Sequence, residues 1–96
     1  MRIAVITKPA CSRCAALKAY LNEKNVEYEE LDVESPQVQQ DLLSDPNFVG
    51  NYCEEDGCTV HTPLVYDFEQ QKYYSKELFG QNGLRKKVVN KLLLIV

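Results

Sequence analysis

Ile3-Ala4-Val5-Ile6-Thr7-Lys8-Pro9-Ala10-Cys11-Ser12-Arg13-Cys14 is the stretch that decides how the rest of the chain is read. Ile3 to Ile6 is a near-continuous apolar run, the pattern of a strand covered on both faces. Beyond Cys14, apolar residues at Ala15, Leu17, Tyr20 and Leu21 recur at the spacing of one helix face. Two cysteines three apart at this junction occupy the first turn of the helix, with their sulfurs in reach of each other. That placement suits a disulfide that opens and closes. It also makes Cys11 the reactive partner, because unpaired N–H groups and the macrodipole at a helix N-terminus favour a thiolate over a thiol. Lys8 and Arg13 add positive charge on either side.

The chain of 96 residues is long enough for one domain with a modest core. Its formal net charge is −3, with mixed signs throughout, which leaves no basic footprint for nucleic acid. Met1 to Ala10 does not read as a secretion signal, since its apolar run is short and Lys8-Pro9 interrupts it. No segment approaches the length of a membrane span. The expectation is a soluble, monomeric protein of the cytoplasm. In that reducing compartment, four cysteines point to catalysis, redox sensing or metal rather than a structural framework.

Taken in order, Arg2 to Thr7 is expected as the first strand and Ser12 to Lys24 as the first helix, with Asn25 as its stop. Val26 to Val33 alternates, with one slip of phase at Glu29-Glu30, and reads as a second strand parallel to the first. The helix between them forms a right-handed crossover. Ser35-Pro36 opens a second helix carrying Val38, Leu42 and Leu43, and Asp45-Pro46 ends it. Residues 47–61 show no period and read as a long loop with an acidic cluster, Glu54-Glu55-Asp56. Leu64 to Phe68 is the third strand. Lys72 to Ser75 is an antiparallel edge strand, after a turn at Gln70-Gln71. Gly80-Gln81-Asn82-Gly83 precedes a last helix from about Leu84, with Leu84, Val88, Leu92 and Ile95 on one stripe and Val89 and Leu93 beside it. The expected architecture is α/β: a four-stranded mixed sheet of order 2-1-3-4 flanked by three helices, one on one face and two on the other.

The Thr7-to-Cys14 segment, with its CxxC between strand and helix, and Thr62-Pro63 ahead of an apolar strand, resemble glutaredoxin and the glutaredoxin-like redoxins that serve ribonucleotide reductase. The resemblance implies a thioredoxin fold over the single domain 1–96, and thiol–disulfide oxidoreductase activity on protein or glutathione mixed disulfides. Cys11 would be the nucleophile and Cys14 the resolving thiol. It further implies a cis peptide at Thr62-Pro63 and no tightly bound cofactor, with glutathione as co-substrate. Lys8 and Arg13, the backbone at Thr62 and Pro63, and Gly80, Gln81 and Asn82 ahead of the last helix would receive that glutathione. The sequence departs from the family at Ser12-Arg13, where Pro-Tyr is common, at Thr62, where valine is usual, and at Gly80-Gln81-Asn82-Gly83, which lacks the usual Gly-Gly-acid pattern. The chain has no tryptophan, so it lacks the Trp that precedes the CxxC of thioredoxin itself.

Other readings remain. Thioredoxin reductase is the alternative electron source. A second pair, Cys53 and Cys58, is a possible second redox pair or a simple loop clip. Together with Cys11, Cys14 and His61, it could instead hold zinc or an iron–sulfur cluster, although zinc ribbons place their pairs about 15–20 residues apart. A third reading is a redox sensor in which the two pairs exchange disulfides to regulate a partner. No metal site is assigned.

Overall fold

A computed structural model describes residues 2–95. Four strands form the central sheet: β1 (Ile3–Thr7), β2 (Glu29–Asp32), β3 (Leu64–Asp67) and β4 (Lys72–Tyr74). Their order is β2-β1-β3-β4, with β1 parallel to β2 and the other two pairings antiparallel. This is the expected order. Every residue of β1 is buried, as its apolar run requires.

Four helices cover the sheet: α1 (Ser12–Glu23), α2 (Pro36–Leu43), α3 (Pro46–Tyr52) and α4 (Lys86–Leu92). Ile3 and Val5 of β1 and Val65 of β3 pack with Leu17 and Leu21 of α1 and with Val89 and Leu93 at α4. Ile6 and Leu64 point the other way, onto Val38 and Leu42 of α2 and Phe48 of α3. The layers therefore hold two helices each, not one and two. The phase slip at Glu29-Glu30 has a structural meaning, since Val26 and Tyr28 join the first core while Leu31 and Val33 join the second. Leu17 and Leu21 are fully buried, each contributing roughly 1.5–3 kcal/mol through lost apolar exposure.

The helix ends follow local chemistry. Lys24 caps α1 through its N–H to the Tyr20 carbonyl, and Asn25 then takes a left-handed conformation at φ 58°. Three details differ from expectation. On α1 the buried stripe is Cys14, Leu17, Tyr20 and Leu21, and Ala15 faces solvent. On α2, Leu43 is 58% exposed. On α4, Val89 and Leu93 are the buried positions, and Leu84 precedes the helix.

Residues 47–61 are largely ordered structure rather than a loop. Asp45 and Pro46 end α2 and also begin α3. The Asp45 carboxylate accepts the Asn47 N–H at 2.9 Å, and Pro46 sits in the first turn, where no backbone donor is missed. Phe48 anchors this helix, stacking on Tyr52 and meeting Tyr73 edge-on. A two-residue-per-strand hairpin follows, Cys53–Glu54 against Gly57–Cys58, with Gly57 at φ 133°. The turn at Gln70-Gln71 is held by buried Asp67, whose carboxylate accepts the N–H groups of Glu69 and Gln70.

Candidate active site

The Cys11–Cys14 pair lies where β1 hands the chain to α1. Ala10 adopts φ 56°, a left-handed conformation that turns the backbone into the helix. Cys11 is itself the N-cap of α1: its sulfur accepts the Cys14 N–H at 3.1 Å, while its carbonyl accepts the Ala15 N–H. One of the orphan donors of the first turn is thus aimed at Cys11 Sγ. The two cysteines are disulfide-bonded, with Cα atoms 5.2 Å apart. Cys11 is half-buried and Cys14 is 2% exposed. Cys11 is therefore the more accessible of the two.

Thr62 stands over this sulfur. Cys11 Sγ lies 3.8 Å from the Thr62 carbonyl oxygen and 3.6 Å from its hydroxyl. The Thr62–Pro63 peptide is cis and Pro63 is buried at the head of β3. A segment distant in sequence thus presents backbone beside the reactive atom.

Lys8, Cys11 and Cys14 line one shallow depression together with Thr7, Lys18, Glu30 and Asp32. Sequence reasoning passed over Thr7, Lys18 and Glu30. Lys18 follows Cys14 by one helical turn, and its ammonium meets the Glu30 carboxylate of β2 at 3.0 Å. The Thr7 hydroxyl donates to the same carboxylate oxygen at 3.2 Å. The Lys18 hydrogen bond, with the Lys18 charge and the Thr7 hydroxyl acting the same way, holds the Glu30 carboxyl below its usual value and outweighs the opposing effect of desolvation. The i+4 spacing from Cys14 to Lys18 was the available signal.

Arg13 is turned away from this depression, with its guanidinium over the Phe79 ring, 5.2 Å from the centroid. Phe79 opens a second small hairpin, Phe79–Gly80 against Gly83–Leu84, and Gln81-Asn82 form its exposed turn. Gly83 at φ 98° serves that turn. Gly80, Gln81 and Asn82 lie ahead of the last helix, as expected, and are shaped there as a hairpin. That helix begins at Lys86, after Arg85, which makes no side-chain cap.

Cys53 and Cys58 form a second disulfide. They belong to a separate, larger polar depression that also takes in His61, Tyr73 and Glu77. His61 is exposed, and its carbonyl accepts the hydroxyl of buried Ser75 at 2.6 Å. Among the described residues, no three His, Cys, Asp or Glu side chains gather as a metal would need. No helix among them is long and apolar enough to cross a membrane.

Known proteins agree with this geometry. The glutaredoxin family model matches residues 3–46, the span from β1 through α2 that carries the CxxC. No curated protein sequence matches the chain. Two solved structures are similar over nearly all of it. A point mutant of the thioredoxin-like protein BC3987 is 25% identical over 98% of this chain and 96% of its own, with a TM-score of 0.64. BC3987 without that substitution is likewise 25% identical, over 98% of this chain and 99% of its own, with a TM-score of 0.59. The chain is thus similar to glutaredoxin over the segment that carries the CxxC, and it has the fold of the thioredoxin-like proteins throughout, with a CxxC disulfide at the head of α1.

Proposed function

We propose that the protein is a dithiol thiol–disulfide oxidoreductase that reduces protein or glutathione mixed disulfides through Cys11 and Cys14. The observation that carries this reading is the Cys14 N–H aimed at a half-buried Cys11 sulfur while Cys14 itself is buried. In the reduced protein that donor and the helix dipole stabilise a Cys11 thiolate. The thiolate attacks a substrate disulfide, one substrate sulfur leaves as thiolate and takes a proton, and a mixed disulfide forms on Cys11. Cys14 then loses its proton and attacks Cys11 Sγ, which expels the second substrate thiolate and closes the Cys11–Cys14 bond. The substrate gains two electrons and two protons.

Glutathione is the proposed reductant, in a reducing compartment such as the cytoplasm. Two molecules restore the dithiol and leave as oxidised glutathione. Lys8 offers a cation for a glutathione carboxylate, and Thr62, half-buried, holds its carbonyl beside Cys11 Sγ. One observation favours thioredoxin reductase instead: Gly80–Gly83 is bound up in a hairpin, and the helix behind it starts only at Lys86, without a side-chain cap. Turnover of a small disulfide substrate decides between them. Activity with glutathione, glutathione reductase and NADPH supports the first reading. Activity only with thioredoxin reductase and NADPH supports the second, and none with either refutes both.

A further inference from the structure

We infer that Cys53–Cys58 is a second redox site, a slow thiol–disulfide switch that exchanges with low-molecular-weight thiols independently of Cys11–Cys14 and sets the posture of Thr62. The bond is one of several closures of its hairpin rather than a staple between distant parts of the fold. The cysteines face each other directly across a hairpin that its own backbone ladder already closes, with Glu54 opposite Gly57 as the second rung. The Thr59 N–H to the Tyr52 carbonyl, at 2.8 Å, closes it again from outside. A bridge over five residues removes little chain entropy, since that contribution grows with the logarithm of loop length. The Cα atoms stand 3.9 Å apart, below the usual 4.4–6.8 Å for a disulfide. Opening the bond lets them move toward the roughly 4.5–5.5 Å of an ordinary antiparallel pair.

Access is direct, because Cys58 is exposed and lines an open polar depression. A glutathione thiolate attacks Cys58 Sγ, and Cys53 leaves as a thiolate and takes a proton. A second glutathione thiolate then attacks the glutathione sulfur of that mixed disulfide, which frees Cys58 as a thiol and forms oxidised glutathione. Two electrons and two protons pass to the pair. Glu54, Glu55 and Asp56 in the turn repel the anionic attacker, so exchange here is slower than at Cys11.

The hairpin is joined to the reactive site by three residues, Thr59 to His61. Ser75 pins the last of these by its hydroxyl to the His61 carbonyl, and Thr62 beside Cys11 comes next. A closed hairpin thus delivers the chain to Thr62 in one posture, and an open one relaxes the anchor at Thr59.

The test has two arms. In a Cys11→Ser/Cys14→Ser protein, which is blind to the function proposed above, the remaining pair is held in millimolar reduced glutathione and its free thiols are counted by alkylation and mass. The inference expects the pair to open, more slowly than Cys11–Cys14 does in the unaltered protein. A pair that stays closed in the folded protein but opens in guanidinium is a structural clip and overturns it. In the second arm, Cys53→Ser/Cys58→Ser with Cys11 and Cys14 intact is expected to raise KM for a disulfide-bearing peptide severalfold at nearly unchanged kcat. An unchanged KM in a folded variant overturns the link to Thr62. If that variant does not fold, the same KM is measured on unaltered protein before and after its Cys53–Cys58 bond is opened.

Discussion

Phe48→Ala separates an ordered α3 from a loop. Phe48 is 1% exposed and sits 5.2 Å from the Tyr52 ring and 5.6 Å from the Tyr73 ring. It is the buried residue of α3 and fixes that helix against the second core, with Ile6, Leu42 and Leu64. Truncating a buried phenylalanine costs about 3–5 kcal/mol, a figure that includes the ring pairs. A domain of this size holds roughly 5–15 kcal/mol, so the variant loses about a fifth or more of its stability. At about 4–8 °C per kcal/mol, Tm falls by at least roughly 12 °C. The assay is thermal and urea unfolding by circular dichroism, with Leu43→Ala as the control. Leu43 is 58% exposed, and its truncation is expected to stay within about 0.5 kcal/mol. A loss under about 1 kcal/mol for Phe48→Ala would refute the packing of α3 and return residues 47–61 to a loop.

Two other perturbations follow from local geometry. Ala10 is left-handed at φ 56°, so Ala10→Gly is expected to raise stability by up to about 1 kcal/mol and Ala10→Val to lower it, read by urea midpoints. Burial, with Glu77 adding to it, pushes the Tyr52 phenol up to about 12, and burial with the hydrogen bond to Asp45 pushes Tyr73 up as well. Between pH 10 and 12 the unfolded chain therefore binds fewer protons than the folded one, and stability falls as pH rises through that window. Tyr52→Phe is expected to flatten the decline, as followed by urea midpoints across it. A decline as steep as in the unaltered protein would contradict the assignment.

Long or strongly patterned elements were legible in the sequence. The apolar β1, the CxxC at its end, the amphipathic α1 and the left-handed Asn25 each carry a local signal, and together they imply the parallel β1–β2 pair. What escaped was short. α3 has seven residues and one buried anchor, too few for a period to emerge, and its Asp45-Pro46 start was masked by reading the pair as a stop. The two hairpins have two residues per strand, so alternation cannot show. The hairpin at Gly80 to Gly83 did not show because glycines serve a tight hairpin turn as well as the approach to a helix, and α4 starts without a capping side chain that would mark its true beginning. In the site, the cysteines were legible from spacing. The Thr7–Glu30–Lys18 cluster was not, because it depends on β2 lying beside β1.

The central claim is the division of labour between a reachable Cys11, faced by the Cys14 N–H, and a buried Cys14. Alkylation of the fully reduced protein at mildly acidic pH, followed by peptide mapping, tests it most directly. The account predicts that Cys11 is modified well before Cys14, and that a Cys14→Ser protein holds its substrate as a stable mixed disulfide on Cys11. Modification of Cys14 first or at an equal rate, or full dithiol turnover by Cys11→Ser, would contradict it.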